Sequence, residues 1–268
     1  MDTMNYLEQY YSNHDEEGRL LSRHGQVEYI TTMTYIHRLL ADIDREECRI
    51  LEVGAGTGRY SISLAREGYC VDAVELIQHN LNILSSKVQL TDRIIVRQGN
   101  ALDLSAFEEN TFDMTLVLGP MYHLYTEQDR RKALQEAIRV TKEGGYILVA
   151  YCMNEATMLQ FCFGKNQLRD CMSKNMITED FHCLSKPEDL FVMVRSEEIK
   201  ALTEGMGVER INLIATDGAT DYMREVIDAM DDEMFDLYMK YHLTICERQD
   251  LIGATNHSLD ILRKELIV

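Results

Sequence analysis

The apolar positions along the chain first change rhythm near residue 48. Before that point Tyr29, Met33, Ile36 and Leu40 are spaced by four, three and four residues, the stripe of an amphipathic helix. Residues 1–47 are therefore expected to form a helical cap. From Arg49 onward, short apolar runs alternate with helical stretches. The runs are RILEVG, CVDAVEL, RIIVRQG, FDMTLVLG and YILVAY, and the intervening helices are expected at about Arg59 to Glu67, Ile77 to Gln89 and Glu127 to Lys142. Five strands alternating with helices predict a parallel, doubly wound α/β sheet with right-handed crossovers. The third helix carries the clearest end signals: Thr126 and Asp129 fit a capping box, and Gly144-Gly145 should stop it.

After the fifth strand the alternation breaks. The stretch AYCMNEATMLQFCFGKNQLRDCMSKN reads as an insertion that could cover a pocket. SEEIKALTEGMG then reads as a helix, VERINLIATDG as a strand and HSLDILRK as the final strand. Two helical stripes lie between those strands, Met223, Val226, Ile227, Met230 and Met234, Leu237, Tyr238, Tyr241, Ile245. They read as core or lid interior, and methionine could equally line an apolar substrate pocket. The domain reading is a cap over 1–47 and one α/β domain over 48–268, with helical insertions at about 155–194 and 218–253.

Composition narrows the partners. The chain has 268 residues, 46% hydrophobic and 27% charged, which excludes a disordered chain and suffices for a substantial core. Its longest run without Asp, Glu, Lys or Arg lies between Asp113 and Glu127 and is 13 residues long, short of the roughly 20 that span a bilayer. No membrane association is expected. The start is polar and acidic, without a signal or transit pattern, and a cytoplasmic location is expected. A formal net charge of −18 disfavours DNA, whose binding depends on Lys and Arg displacing counterions. The densest basic cluster, Arg130, Arg131 and Lys132, reads as an exposed helix face. The seven cysteines contain no Cys-x-x-Cys pair and read as reduced thiols.

The segment richest in chemistry is ILEVGAGTGRY, Ile50 to Tyr60. Gly54, Gly56 and Gly58 follow an apolar strand and precede a helix, so a ligand can approach the backbone closely beside free helical N–H groups. A dinucleotide fingerprint would be G-x-G-x-x-G. Here the third glycine comes one residue early and Arg59 stands where the last should be, which weakens a pyrophosphate-binding reading. Glu75 ends the second strand, where a carboxylate can accept bonds from both hydroxyls of a ribose. The third strand runs into Gly99, Asn100 and Ala101, and the fourth into Leu118, Gly119, Pro120, Met121, Tyr122 and His123. Both ends open onto the same crevice.

Over about residues 49 to 151 these features resemble the class I S-adenosylmethionine-dependent methyltransferases, in particular the compact bacterial members acting on small molecules. The resemblance implies a Rossmann-like mixed seven-stranded sheet, six strands parallel and the last antiparallel, with helical lid insertions. It implies S-adenosyl-L-methionine as cofactor. The methionine part would lie at Glu52, Gly54, Ala55, Gly56 and Gly58, the ribose at Glu75 and the adenine beside Leu76, Asn100 and Ala101. Asn100 replaces the family's usual Asp, and its amide oxygen can still accept the adenine amino group. Leu118 to His123 would line the meeting point of cofactor and a small-molecule acceptor. LGPMYH lacks an Asn-Pro-Pro-Tyr-like motif, which disfavours methylation of nucleic bases.

Two residues are candidates for acceptor chemistry. His123 could act as a general base, its ordinary pKa lying near neutrality, or could line the pocket without titrating. Tyr122 suits shaping the pocket. A sulfonium favours aromatic faces, which makes Tyr10, Tyr11, Tyr60, Tyr122 and Tyr151 candidates, Tyr11 foremost as an N-terminal closing residue. Arg19, Arg23 and Arg59 could each fork onto the cofactor carboxylate or sit on a solvated helix face. His242 and Cys246 read as packing residues, and no metal site is expected. A nicotinamide-dependent oxidoreductase and a non-catalytic S-adenosylmethionine-binding protein are the alternative readings.

Overall fold

The computed structural model describes residues 3–13, 18 and 21–266. Eight strands form one sheet: β1 (Arg49–Val53), β2 (Cys70–Glu75), β3 (Ile94–Gln98), β4 (Phe112–Val117), β5 (Thr141–Met153), β6 (Met193–Val194), β7 (Val208–Ala215) and β8 (His257–Lys264). The main path runs β3-β2-β1-β4-β5-β8-β7, and the two-residue β6 pairs beside it with the end of β5. Strand β8 is antiparallel to both of its neighbours, and the other pairings are parallel. The seven main strands thus reproduce the expected mixed sheet, and β6 is an addition the sequence pattern did not reveal.

The strand segments are almost continuously apolar because helices cover both faces of the sheet. Leu51, Val53, Val117, Ile147 and Val149 point to one side, under Ala133, Leu134 and Ala137 of α5 (Glu127–Val140) and Ile199 and Leu202 of α8 (Ser196–Leu202). Their immediate neighbours Ile50, Met114, Leu116 and Leu148 face the other way. There they meet Met33, Ile36 and Leu40 at the end of α2 (Arg23–Leu39) and Leu64 and Ala65 of α3 (Arg59–Arg66). The period of two along each strand thereby divides the core into two layers. Helix α1 (Thr3–Asn13) lies against α4 (Gln78–Lys87).

Three expectations are corrected. Thr126 caps α5 by accepting from the Asp129 N–H, yet the helix ends at Val140 and not at the glycine pair. The Thr141 hydroxyl donates to the Ala137 carbonyl and the chain enters β5 at once. Gly144-Gly145 instead lie in a bulge, since Phe112 pairs with Thr141 and Met114 with Tyr146. The insertion over 155–194 is helical only in its first half: α6 (Asn154–Thr157) runs into a π-turn at Met158–Phe163, and α7 (Leu168–Ser173) follows. Beyond Ser173 it is mostly irregular, and it ends in β6.

The third correction concerns the region 218–253, which forms α9 (Arg224–Asp228) and α10 (Asp232–Ile245). Helix α10 buries Phe235 and Met239 with Val27 of α2 and Ile227 of α9. Met234, Leu237 and Tyr241, read from the sequence as a buried stripe, are exposed. The helix is apolar on more than one face, so periodicity alone could not choose between the two stripes. Among the described residues, no helix is long and apolar enough to cross a membrane.

Candidate active site

The carboxyl ends of β1, β2 and β4 converge on a cavity of about 490 Å³, over which α1 places Met4, Leu7, Tyr10 and Tyr11. That volume falls within the roughly 300–1,000 Å³ of small-molecule sites. The residues assigned from sequence to the cofactor and to the acceptor chemistry line it, except Gly58 and the buried Met121. Gly58 turns into the packing between α3 and α4, where an added Cβ would stand 2.1 Å from Leu84 Cδ1 at a φ of +87°. Its role is to let the helix start. Gly54 does approach the cavity, with φ +73° and a virtual Cβ 2.7 Å from the Pro120 ring. The β1 turn and the β4 loop are pressed together there, and only a glycine fits.

Glu75 is the hinge of this wall. One carboxylate oxygen accepts from the Gly56 N–H at 2.7 Å and the other from the Ile77 N–H at 2.7 Å. Burial pushes its carboxyl upward, while the N–H groups of Ile77, Gly56 and Leu76 and the Asn80 side chain oppose the rise. Glu52, at the end of β1, accepts from the Ser61 hydroxyl. Burial pushes its carboxyl up to about 8, against the Ser61 donors, and neighbouring Glu75 adds to the rise. A carboxylate so placed is short of a cation. Asn100 spends its side-chain oxygen on the Leu102 N–H at 3.0 Å, a bond that holds the turn after β3 and leaves one lone pair of that oxygen for a ligand.

Two buried polar atoms in this wall have no protein partner: Arg59 Nε and Asn80 Oδ1. The Arg59 guanidinium lies 4.5 Å from the centre of the Tyr29 ring and makes no ion pair among the described residues, although the chain is strongly acidic. An orphaned donor beside a buried carboxylate suits a zwitterionic amino-acid tail. Of the other two arginines considered, Arg23 pairs with Asp232 at 2.6 Å, and Arg19 lies outside the described residues. Tyr10 and Tyr60 line the cavity. Tyr151 does not; it is fully buried in β5.

On the β4 side, His123 Nδ1 donates to the Leu190 carbonyl at 2.9 Å and Tyr11 closes on Nε2 at 2.8 Å. The first bond fixes the tautomer, so Nε2 carries the lone pair and the Tyr11 hydroxyl donates to it. Burial lowers the pKa of His123 against the opposing Leu190 bond, which keeps the ring neutral. Tyr122 donates its hydroxyl proton to the Leu118 carbonyl, a shaping role. Phe191 packs against His123 with ring centres 5.3 Å apart. It comes from the irregular half of the insertion, where no pattern singled it out.

A further group, Glu28, Asp217 and His257, was not found from sequence. Their ligand atoms lie within 4.8 Å of one another, and His257 lines the cavity. The signal was topological. An antiparallel strand begins where parallel strands end, so the first residue of β8 falls at the crevice, opposite Cys152 in register.

The glycine turn after β1, the acid ending β2 and the seven-stranded sheet with one reversed strand are the features that the resemblance to class I S-adenosylmethionine-dependent methyltransferases implies, and the structure contains all three. Residues 50–145 match the family model described as a methyltransferase domain. A demethylmenaquinone methyltransferase of Clavibacter sepedonicus is 33% identical over 101 residues, covering 38% of this chain and 40% of that protein. The chain spans between 40 and 51% of the length of the first curated relatives it matches. An S-adenosylmethionine-dependent methyltransferase of Methanosarcina mazei has a similar fold, with TM-score 0.56, 15% identity and coverage of 85% of this chain and 98% of that one. So does a phosphoethanolamine N-methyltransferase of Haemonchus contortus bound to S-adenosylhomocysteine, at TM-score 0.58, 15% identity, and 99% and 61% coverage.

Proposed function

We propose that the protein transfers the methyl group of S-adenosyl-L-methionine to a small-molecule acceptor by direct displacement. The observation that carries this reading is the wall on which Glu75 and the glycine turn face one cavity. When bound, S-adenosylmethionine supplies a methyl group already made electrophilic by its sulfonium. Glu75 would accept the ribose hydroxyls. Glu52 would meet the α-ammonium, and Arg59 the carboxylate. Leu76, Asn100 and Ala101 would hold the adenine. The remaining tasks are alignment and exclusion of water, for which positioning can supply roughly 7–11 kcal/mol.

Tyr11, Tyr122, His123 and Leu118 line the lobe beside the glycine turn and would receive the acceptor. Neutral His123, with Tyr11 bonded to its lone pair, could take a proton from the acceptor either directly, after Tyr11 shifts, or through the Tyr11 hydroxyl. Methylation of a small molecule in the cytoplasm, without DNA as partner, fits the acidic composition and the size of the cavity. The one-residue-early third glycine disfavours the nicotinamide alternative, and a cavity that continues from the glycine turn to His123 disfavours a non-catalytic binding protein.

Thermal melts with S-adenosylmethionine, S-adenosylhomocysteine and NAD, repeated for Glu75→Ala, test the reading. A ligand at about 100 times its Kd adds roughly 2.7 kcal/mol of stability. Stabilisation by the first two ligands, lost in Glu75→Ala, supports it. Stabilisation by NAD alone overturns it.

A further inference from the structure

His257 and His123 both neighbour the Tyr122 ring, their ring centres 6.5 Å and 5.5 Å from it. The Nδ1 of His257 donates to Asp217 at 2.7 Å and faces Glu28 at 3.6 Å. Asp217 is itself fixed, accepting from the Thr255 hydroxyl and from the N–H groups of Asn256 and His257. No group among the described residues bonds Nε2. A quarter of the His257 side chain is exposed, and it forms part of the cavity wall. Burial opposes a charge on this ring, but Glu28, Cys152 and Asp217 outweigh it and raise the pKa well above the ordinary histidine value.

The separation of Nδ1 and the Asp217 oxygen fits a shared proton. At 2.7 Å it is a charge-assisted hydrogen bond, whereas two ligands of a tetrahedral zinc stand roughly 3.3 Å apart. The ring therefore presents a charged Nε2–H to a lobe whose wall includes Tyr122 and Cys152 beside it and Phe191, Tyr10 and neutral His123 beyond. The complement of such a lobe is a small, largely apolar molecule with one anionic oxygen group. The two histidines are tuned in opposite directions, a pattern that separates an acid from a base.

Building on the methyltransferase reading, we propose that His257, held by Asp217 and Glu28, anchors the methyl acceptor through Nε2–H and selects acceptors that carry a carboxylate or another anionic oxygen. The test titrates the full chain, loaded with S-adenosylhomocysteine, with three size-matched probes: phenylacetate, phenylacetamide and phenethylamine. At pH 7 phenylacetate is expected to bind at least tenfold more tightly than either of the others. His257→Asn can keep the bond to Asp217 while losing the outer donor. It should bring phenylacetate to within twofold of the amide with the affinity for S-adenosylhomocysteine unchanged. His257→Gln, whose amide reaches the outer position, should retain a preference of a few-fold.

Tightest binding by the amine overturns the proposal, because the two acids would then be reading a cation. So does absent or unselective phenylacetate binding, a preference that survives His257→Asn, or stoichiometric zinc uptake that this variant abolishes. Failure of S-adenosylhomocysteine to bind, measured first, refutes the cofactor reading itself. Loss of probe preference in the loaded protein refutes only the anchoring role.

Discussion

Glu52→Gln separates the cost of a buried carboxylate from its use. Glu52 is 2% exposed, and in the ligand-free protein burial holds its carboxyl at about 8, against 4.5 for a free glutamate. The folded state therefore binds more protons than the unfolded state between these values, so stability falls as pH rises across that window. At 1.36 kcal/mol per pH unit the loss reaches about 5 kcal/mol as an upper bound. Gln can still accept from Ser61 and carries no charge. The variant should melt higher than the parent at pH 8.5 and show little difference at pH 5.

Binding should move the other way. A cofactor whose α-ammonium pairs with ionised Glu52 must first displace the carboxyl proton. The parent's affinity for S-adenosylhomocysteine should thus rise nearly tenfold per pH unit from about pH 6 to 8 and then level. In Glu52→Gln it should be flat and, at pH 8, lower by one to two orders of magnitude, the value of roughly 1.5–3 kcal/mol for a charged hydrogen bond. Isothermal titration at half-unit pH steps reads both quantities. A parent with pH-independent affinity, or a variant that binds as the parent does, refutes the pairing.

Three further outcomes are expected. Gly58→Ala drives a methyl group into Leu84 at a left-handed φ and should destabilise the protein by about 1–3 kcal/mol, read by chemical denaturation. Arg59→Ala should weaken S-adenosylhomocysteine at least tenfold and leave 5′-methylthioadenosine, which lacks the amino-acid tail, unchanged; equal losses would remove Arg59 from the carboxylate. Nitrogen NMR of His123 should show a neutral ring protonated at Nδ1 at pH 7, and Tyr11→Phe should shift the Nε2 resonance alone. Because burial lowers this pKa, acidification below about 6.5 should cost stability through His123, and a charged ring at pH 7 would refute the assignment.

How much of this was legible in the sequence follows from what each signal depends on. The strands could be read because a sheet covered on both faces demands apolar runs, and the glycine turn and Glu75 because one strand end and one helix start fix them locally. Helix α10 offers two apolar stripes, and only its docking on α2 decides that Phe235 and Met239 go inward. The end of α5 depends on a bulge opposite Asp113, whose carboxylate pairs with Lys142 at 2.8 Å, a contact 29 residues apart in sequence.

The acceptor side was least legible for the same reason, carried further. Glu28, Asp217 and His257 come from α2, the end of β7 and the start of β8, and no spacing rule links them. What brings them together is the reversal of β8. Its first residue pairs with Cys152 at the end of β5, and Ser258 pairs with Ala215 at the end of β7. A reversed last strand therefore places its opening residue at the ligand edge of the sheet, as the forward strands place their closing ones. Wherever this topology is inferred from a sequence, polar residues at the start of the final strand merit the same scrutiny as those that end the first four.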